Sequence, residues 1–90
     1  MQHHRLGRSA IYVSKICMGT MTFGGQADEA MAHRCLDQSL EAGINFYDTA
    51  ENYPVPPKEE WAGTCEEIVG RWMQTKRRDE LIIATKVCGP

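Results

Sequence analysis

The sequence predicts an α/β fold with a short N-terminal hairpin, three parallel core strands and two helices. Short apolar runs alternate with segments whose apolar residues recur every three or four positions, as strands alternate with helices. The connections are short, which is typical of βαβ units with right-handed crossovers. The last apolar run, residues 81–87, lacks the alternation of apolar and polar residues that is typical of a strand with one solvent-exposed face. We therefore expect it to be a central strand covered on both sides.

The first elements are a hairpin and a core strand. Residues 2–15 combine short polar and β-branched runs around a turn signal at residues 7–10. Residues 16–21 form a short apolar run that ends before Gly24 and Gly25. This pattern predicts a buried strand followed by a tight loop.

The first helix is predicted to begin after Asp28, whose carboxylate can cap it, and to stop at Gly43. The apolar face predicted by the spacing consists of Met31, Cys35 and either Ser39 or Leu40. Residues 44–50 return to an apolar run. The change of period across Gly43 predicts the second core strand there.

A proline-rich loop follows the second strand. Pro54, Pro56 and Pro57 exclude regular structure, and the loop continues through Trp61 and Gly63. A loop of this kind is a candidate functional surface.

The second helix is predicted to open at Thr64. Thr64 and Glu67 match a capping box, in which the Thr64 hydroxyl accepts from the Glu67 amide. One apolar stripe then follows at helical spacing: Cys65, Ile68, Val69, Trp72 and Met73. The basic residues 76–78 suit a helix C-terminus, and we assign them no binding role.

Composition places the chain among ordinary globular proteins. Of its 90 residues, 42% are hydrophobic and 24% are charged, and the net charge is −2. This balance disfavours a nucleic-acid partner. No run approaches the roughly 20 apolar residues of a membrane span, and the N-terminus lacks the apolar core of a signal peptide. We therefore expect a cytoplasmic protein without a membrane partner.

The thiols and imidazoles do not form a recognisable metal motif. Four cysteines stand far apart, with no Cys-x-x-Cys pair: Cys17, Cys35, Cys65 and Cys88. We expect buried reduced thiols, with a zinc site or a disulfide framework as the alternatives. His3, His4 and His33 have no partner at ligand spacing, so no metal is expected.

Two charged residues interrupt the predicted strands. Asp48 and Lys86 each stand near the C-terminal end of an apolar run, and a buried charge needs a partner. Sequential strands of a βαβ unit are usually neighbours, so we expect an ion pair at the edge where active sites form in parallel sheets. The alternative is a pair that only closes a strand end or faces solvent.

Tyr53 lies five residues after Asp48 and can fold back over the same strand end. A nearby lysine cation favours the phenolate form, so such a tyrosine is a plausible general acid. Asp48 would then hold the Lys86 ammonium in place and balance its charge. The alternative is a loop tyrosine that only packs.

Three segments resemble the aldo-keto reductases in order and spacing: Met-Gly-Thr-Met-Thr-Phe-Gly at 18–24, Gly-Ile-Asn-Phe-Tyr-Asp-Thr-Ala-Glu-Asn-Tyr at 43–53 and Ile-Ala-Thr-Lys at 83–86. The middle segment is the most specific. The proline-rich extension after Tyr53 and the ending Lys-Val-Cys-Gly-Pro resemble the Tas-type bacterial branch of the family. The resemblance covers essentially the whole chain.

The resemblance implies an N-terminal portion of a (β/α)8 TIM barrel that binds NADP(H) and reduces a small-molecule aldehyde or ketone to an alcohol by hydride transfer. The absence of Gly-x-Gly-x-x-Gly is consistent with a cofactor site outside a Rossmann fold. The resemblance assigns proton donation to Tyr53, tuned by Lys86 and Asp48. It places four residues at the cofactor: Gly19, Thr20, Met21 and Asp48. Trp61 could line the substrate mouth, or simply pack.

Residues 1–90 are expected to form an incomplete barrel domain, since a barrel of this type takes about 250 residues. The family's fourth catalytic residue, a histidine after the next strand, is not matched by His3, His4 or His33. We expect little activity from this chain alone and self-association through exposed strand edges. The alternatives are an inactive interaction or dimerisation module, and a free-standing small domain whose resemblance is accidental.

Overall fold

A computed structural model, which describes residues 1–56 and 58–87, contains the predicted elements in the predicted order. The strands are β1 (His3–Arg5), β2 (Tyr12–Ser14), β3 (Cys17–Gly19), β4 (Phe46–Asp48) and β5 (Ile82–Ala84). The helices are α1 (Glu29–Glu41) and α2 (Thr64–Met73), with 3₁₀ turns at Glu59–Trp61 and Arg78–Glu80. β1 and β2 form an antiparallel hairpin, and β3, β4 and β5 form a parallel sheet in that order. The α/β prediction is confirmed.

The central strand of the parallel sheet is β4 rather than β5. Tyr47 of β4 pairs in register with Met18 on one side and Ile83 on the other. Within the described residues β5 pairs on one side only and is half-buried. The prediction of a central strand covered on both sides is therefore wrong for this segment. β3 is also less buried than predicted, since Cys17 is exposed.

The core lies between one face of this sheet and the two helices. Tyr47 is fully buried, and its ring meets the Trp72 ring edge-on with centroids 5.3 Å apart. The Tyr47 hydroxyl donates to the Ile44 carbonyl at 2.9 Å, so the buried phenol has a partner. Burial raises the pKa of Tyr47. Side chains alternate along β4, so Asp48 lies on the opposite face from Tyr47.

α1 begins and ends as predicted. The Asp28 side chain accepts from the Met31 amide at 2.9 Å, and Gly43 adopts the left-handed conformation with φ 95° just past the helix. The buried face differs by one position, because Ala32 and Leu36 are buried whereas Met31 is 45% exposed. Helical spacing fits both the predicted row, Met31 and Cys35, and the observed row, Ala32 and Leu36. Packing against α2 buries the second row.

α2 begins at Thr64, but the predicted capping box is not formed. The N-cap is Gly63, with φ 80°, and the Glu67 amide donates to the Gly63 carbonyl at 3.0 Å. That bond belongs to the helical ladder, so Thr64 is already the first helical residue. The apolar stripe is confirmed, with Met73 partly buried and four residues fully buried: Cys65, Ile68, Val69 and Trp72.

The thiols are less uniform than expected. Cys17 is exposed, Cys35 is half-buried and Cys65 is buried, and these three are unpaired. Cys88 and Pro57 lie outside the described residues. Neither described helix has the length and apolar character to cross a membrane.

Asn45 connects the hairpin to the N-terminal edge of the parallel sheet. Its side-chain oxygen accepts from the Ser14 amide at 2.7 Å, and its side-chain nitrogen donates to the Tyr12 carbonyl at 3.2 Å. Its own carbonyl accepts from the Ile82 amide at 2.8 Å. One residue therefore holds the hairpin and β5 in fixed positions relative to β4.

Asp37 joins the two helices. The Trp72 indole donates to its carboxylate at 2.9 Å, and Lys76 Nζ lies 2.8 Å from the same oxygen. Hydrogen bonds from Lys76 and Trp72 hold the pKa of Asp37 below its ordinary value of 3.8. Because the folded-state pKa is lowered, the carboxylate stabilises the fold above pH 3.8, and this contribution is lost as pH falls through the folded-state value.

We predict that Asp37→Asn lowers the urea midpoint of the protein at neutral pH. The amide oxygen can still accept from Trp72, so the variant isolates the charge interaction with Lys76. The difference in urea midpoint between wild type and variant should disappear in acid, because the protonated wild-type carboxyl group is then uncharged, like the amide. Asp79→Asn is the matched control, because its ion pair with Arg77 is about three-quarters exposed and should contribute little. An equal gap at neutral and acidic pH would contradict the assignment.

Candidate active site

The candidate site lies where β3, β4 and β5 end. Asp48, the last residue of β4, pairs in register with Gly19 of β3 and Ala84 of β5. The ladder continues beyond the strands, because the Glu51 amide donates to the Lys86 carbonyl at 3.1 Å. The Lys86 backbone is therefore held beside the residues that follow Asp48.

Lys86 and Asp48 form the expected ion pair. Lys86 Nζ lies 2.9 and 3.0 Å from the two Asp48 carboxylate oxygens and 2.9 Å from the Thr49 carbonyl oxygen. These three acceptors match the three protons of an ammonium group. Hydrogen bonding to Asp48 raises the pKa of Lys86, with smaller contributions from the Asp48 and Tyr53 charges.

The pair is more exposed than predicted. The Lys86 and Asp48 side chains are 41% and 40% exposed, so they are not buried charges in apolar strands. The reason is that the described residues cover only one face of the sheet with helices, and Asp48 lies on the other face. The alternative in which the pair faces solvent is thus correct in part.

Tyr53 folds back over the same strand end. The centre of its ring lies 5.0 Å from Lys86 Nζ. Its amide donates to the Ala50 carbonyl at 3.2 Å, and the Val55 amide donates to the Met21 carbonyl at 2.8 Å. The loop on both sides of Tyr53 is therefore fixed by backbone hydrogen bonds, which brings this phenol, Lys86 and Asp48 together.

The three predicted cofactor residues of the β3 end differ in accessibility. Gly19 faces open space, since a Cβ there would meet no atom within 4 Å, and Met21 is 51% exposed. Thr20 is 1% exposed, and its hydroxyl donates to the Asp48 carbonyl at 2.9 Å. Gly19 and Met21 are therefore accessible beside Asp48, whereas Thr20 is buried and holds the Asp48 backbone.

Trp61 lies where two loops pack together. A Cβ on Gly25 would lie 3.3 Å from the Trp61 ring, and Lys58 Nζ lies 4.2 Å from the centre of that ring. Nearby, Gly24 has φ 96°, and a Cβ there would lie 2.7 Å from Thr64 Cγ2. The loop after β3 therefore fits closely against the loop before α2, and a position for Trp61 at the substrate mouth stays a prediction.

Sequence reasoning missed the contact of α2 with the strand ends. Cys65 Sγ lies 3.1 Å from Thr20 Oγ1 and 3.2 Å from Thr49 Oγ1. The only signal available was the position of Cys65 in the apolar stripe, which indicates burial but not a polar contact.

Comparison with known proteins gives the family. The sequence profile of the Aldo/keto reductase family matches residues 15–90. The chain belongs to this family. Protein tas of Escherichia coli (strain K12) is 50% identical over 100% of the chain, which covers 26% of that protein. The uncharacterized oxidoreductase YrpG of Bacillus subtilis (strain 168) is 41% identical over 100% of the chain, which covers 27% of it.

Solved structures of aldo-keto reductases share the fold. The aldo-keto reductase AKR11C1 from Bacillus halodurans, in its holo form, superposes with a TM-score of 0.79 at 39% identity. The match covers 97% of this chain and 26% of that structure. The described elements correspond to the N-terminal part of an aldo-keto reductase TIM barrel, and the chain spans about a quarter of its relatives' length. The alternative that the resemblance is accidental is wrong.

We predict that the pKa of Lys86 lies above its ordinary value of 10.5 and that Asp48→Asn moves the Lys86 titration midpoint down towards that value. The hydrogen bond to the carboxylate is the main cause of the raised pKa, and an amide cannot replace its charge. Carbon-13 NMR of the lysine Cε signals measures the midpoint, and Asp79→Asn is the control.

The raised pKa of Lys86 also predicts that the fold becomes less stable at alkaline pH. Because the folded-state pKa of Lys86 is raised, the pair stabilises the fold below pH 10.5, and this contribution is lost as pH rises through the folded-state value. An unchanged Lys86 midpoint in Asp48→Asn would contradict both statements.

Proposed function

We propose that the protein containing this chain is an NADP(H)-dependent oxidoreductase that reduces an aldehyde or ketone to an alcohol. The observation that carries the proposal is the Lys86 ammonium, which is bonded to Asp48 at 2.9 Å and lies 5.0 Å from the Tyr53 ring centre. Membership of the aldo-keto reductase family supports it. The activity is proposed for a protein of the relatives' length. This chain spans about a quarter of that length. We propose the cytoplasm as its location, since the three described thiols are unpaired.

The chain supplies proton transfer and charge control. NADP(H), when bound, supplies the hydride for the carbonyl carbon. The Tyr53 hydroxyl donates its proton to the carbonyl oxygen as negative charge develops there. The Lys86 ammonium stabilises the phenolate that remains, because an adjacent cation favours the charged form of a phenol. Asp48 and the Thr49 carbonyl hold that ammonium in place.

The open end of β3 is suited to hold the cofactor. Gly19 leaves free space beside Asp48, and the exposed Met21 borders it. These residues, together with Asp48, would hold the nicotinamide and its ribose. The buried Thr20 would contribute indirectly, because its hydroxyl keeps the Asp48 backbone in place. A small carbonyl compound would then enter from the side of Tyr53 and Trp61.

We predict that Tyr53→Phe lowers NADPH-dependent carbonyl reduction by the full-length protein about 10²- to 10⁴-fold, the range for loss of a general acid. Binding of NADPH, followed by fluorescence, should change little because the phenyl ring is retained. Tyr12→Phe is the matched control, since Tyr12 lies exposed on the hairpin. Wild-type turnover in Tyr53→Phe would exclude Tyr53 as the proton donor. No turnover by the wild-type protein with any reactive aldehyde would exclude the function.

The second candidate function is an inactive interaction or dimerisation module. Among the described residues β3 and β5 each have one unpaired edge, and Ile16, next to β3, is 54% exposed. Open edges with apolar neighbours favour association. For the 90-residue chain by itself we therefore propose self-association together with little reductase activity.

We predict that the sedimentation coefficient of the 90-residue chain rises with concentration. Ile16→Lys should reduce the rise, because a charge beside an open strand edge opposes pairing. A defined dimer would favour the interaction module, whereas an open-ended series would favour a barrel fragment. A monomer at every concentration would contradict self-association.

A further inference from the structure

Cys65 of α2 contacts the ends of both β3 and β4. Its sulfur lies 3.1 Å from the Thr20 carbonyl oxygen, 3.1 Å from Thr20 Oγ1 and 3.2 Å from Thr49 Oγ1. Cys65, Thr20 and Thr49 are 0%, 1% and 2% exposed. A buried polar cluster therefore stands within an otherwise apolar contact between helix and sheet. We call these three residues the threonine–thiol cluster.

The direction of each hydrogen bond follows from the number of protons. The Thr20 hydroxyl donates to the Asp48 carbonyl at 2.9 Å, so its oxygen can only accept from Cys65. The Cys65 thiol has one proton, which it directs at Thr20. Its sulfur must then accept from the Thr49 hydroxyl. Each proton is used once, and the chain of donors runs from Thr49 through Cys65 and Thr20 to the Asp48 backbone.

The threonine–thiol cluster contains one of the two residues that bind Lys86, Thr49, and contacts the other, Asp48. Asp48 provides both carboxylate oxygens to the ammonium, and Thr49 provides its carbonyl oxygen at 2.9 Å. Thr20 fixes the Asp48 backbone, and Cys65 fixes the Thr49 side chain. All three acceptors of Lys86 therefore belong to residues whose positions depend on contacts with this cluster.

We propose that Cys65 is a positioning residue for Lys86 and, through it, for Tyr53. The proposal rests on the proposed reductase function for its catalytic consequence, but its structural part concerns only the position of Lys86. Cysteine usually behaves as a small hydrophobe in a core. Here its thiol both donates and accepts, so alanine would leave the Thr49 hydroxyl buried without its acceptor. Serine would keep one donor and one acceptor at the same place.

The test compares Cys65→Ala with Cys65→Ser in the full-length protein. Cys35→Ala is the matched control, because Cys35 is a half-buried thiol on α1 outside the cluster. In Cys65→Ala we expect kcat for carbonyl reduction to fall about tenfold, the rate equivalent of one lost hydrogen bond. The KM for NADPH should stay within about twofold, and the alkaline limb of the pH–rate profile should shift. Cys65→Ser should recover most of the loss.

A second readout does not depend on turnover. The Lys86 titration midpoint, measured by carbon-13 NMR, should fall in Cys65→Ala, recover in Cys65→Ser and stay unchanged in Cys35→Ala. An unmoved midpoint in Cys65→Ala would overturn the proposal whatever the activity. A moved midpoint in a protein without reductase activity would support the positioning role and reject the proposed function. If Cys65→Ala does not fold, Thr49→Val removes the same hydrogen bond while keeping the Thr49 carbonyl, and the same shift is expected.

Discussion

The position of one ammonium group depends on several separate parts of the described structure. All three acceptors of Lys86 come from the adjacent residues Asp48 and Thr49, at the end of the central strand. The pair is about two-fifths exposed, so solvent screening makes it a weak source of stability. Its value lies in geometry, because it fixes a cation beside Tyr53. Three contacts fix that position: the parallel register of the strands, the backbone hydrogen bond from Glu51 and the contact of the strand ends with α2.

The two ends of the parallel sheet carry different side chains. At the N-terminal end, Asn45 binds the hairpin and β5 through side-chain and backbone hydrogen bonds, and its contacts are structural. At the C-terminal end, the charged and hydroxyl groups gather around Asp48. In barrels of this architecture chemistry occurs at the C-terminal end of the strands, whereas the opposite end supports stability. The placement of charged and hydroxyl groups in the chain matches that division, and the chain covers about a quarter of the length of its relatives.

Local chemistry was enough to predict the boundaries of α1, but not the packing partners. At α2 it was wrong twice, because the N-cap is Gly63 rather than Thr64 and the helix ends at Met73, before the basic residues 76–78. Asp28 and Gly43 act through contacts within a few residues, which a sequence displays directly. The buried face of α1 was misplaced because two neighbouring rows of apolar residues satisfy the same period, and only the contact with α2 decides between them. The polar role of Cys65 was missed because it depends on residues 45 and 16 positions away. The exposure of Asp48 depends on what covers the second face of the sheet.

The close fit at Gly24 has a consequence for loop grafting. A side chain at that position would collide with Thr64 at the start of α2, the helix that carries Cys65 in its first turn. Exchanging the loop after β3 for one with a side chain at this position would therefore displace the start of the helix whose Cys65 contacts Thr20 and Thr49. A graft should exchange residues 20–27 and 51–64 from the same donor protein. The two segments therefore behave as one packing unit rather than as independent loops.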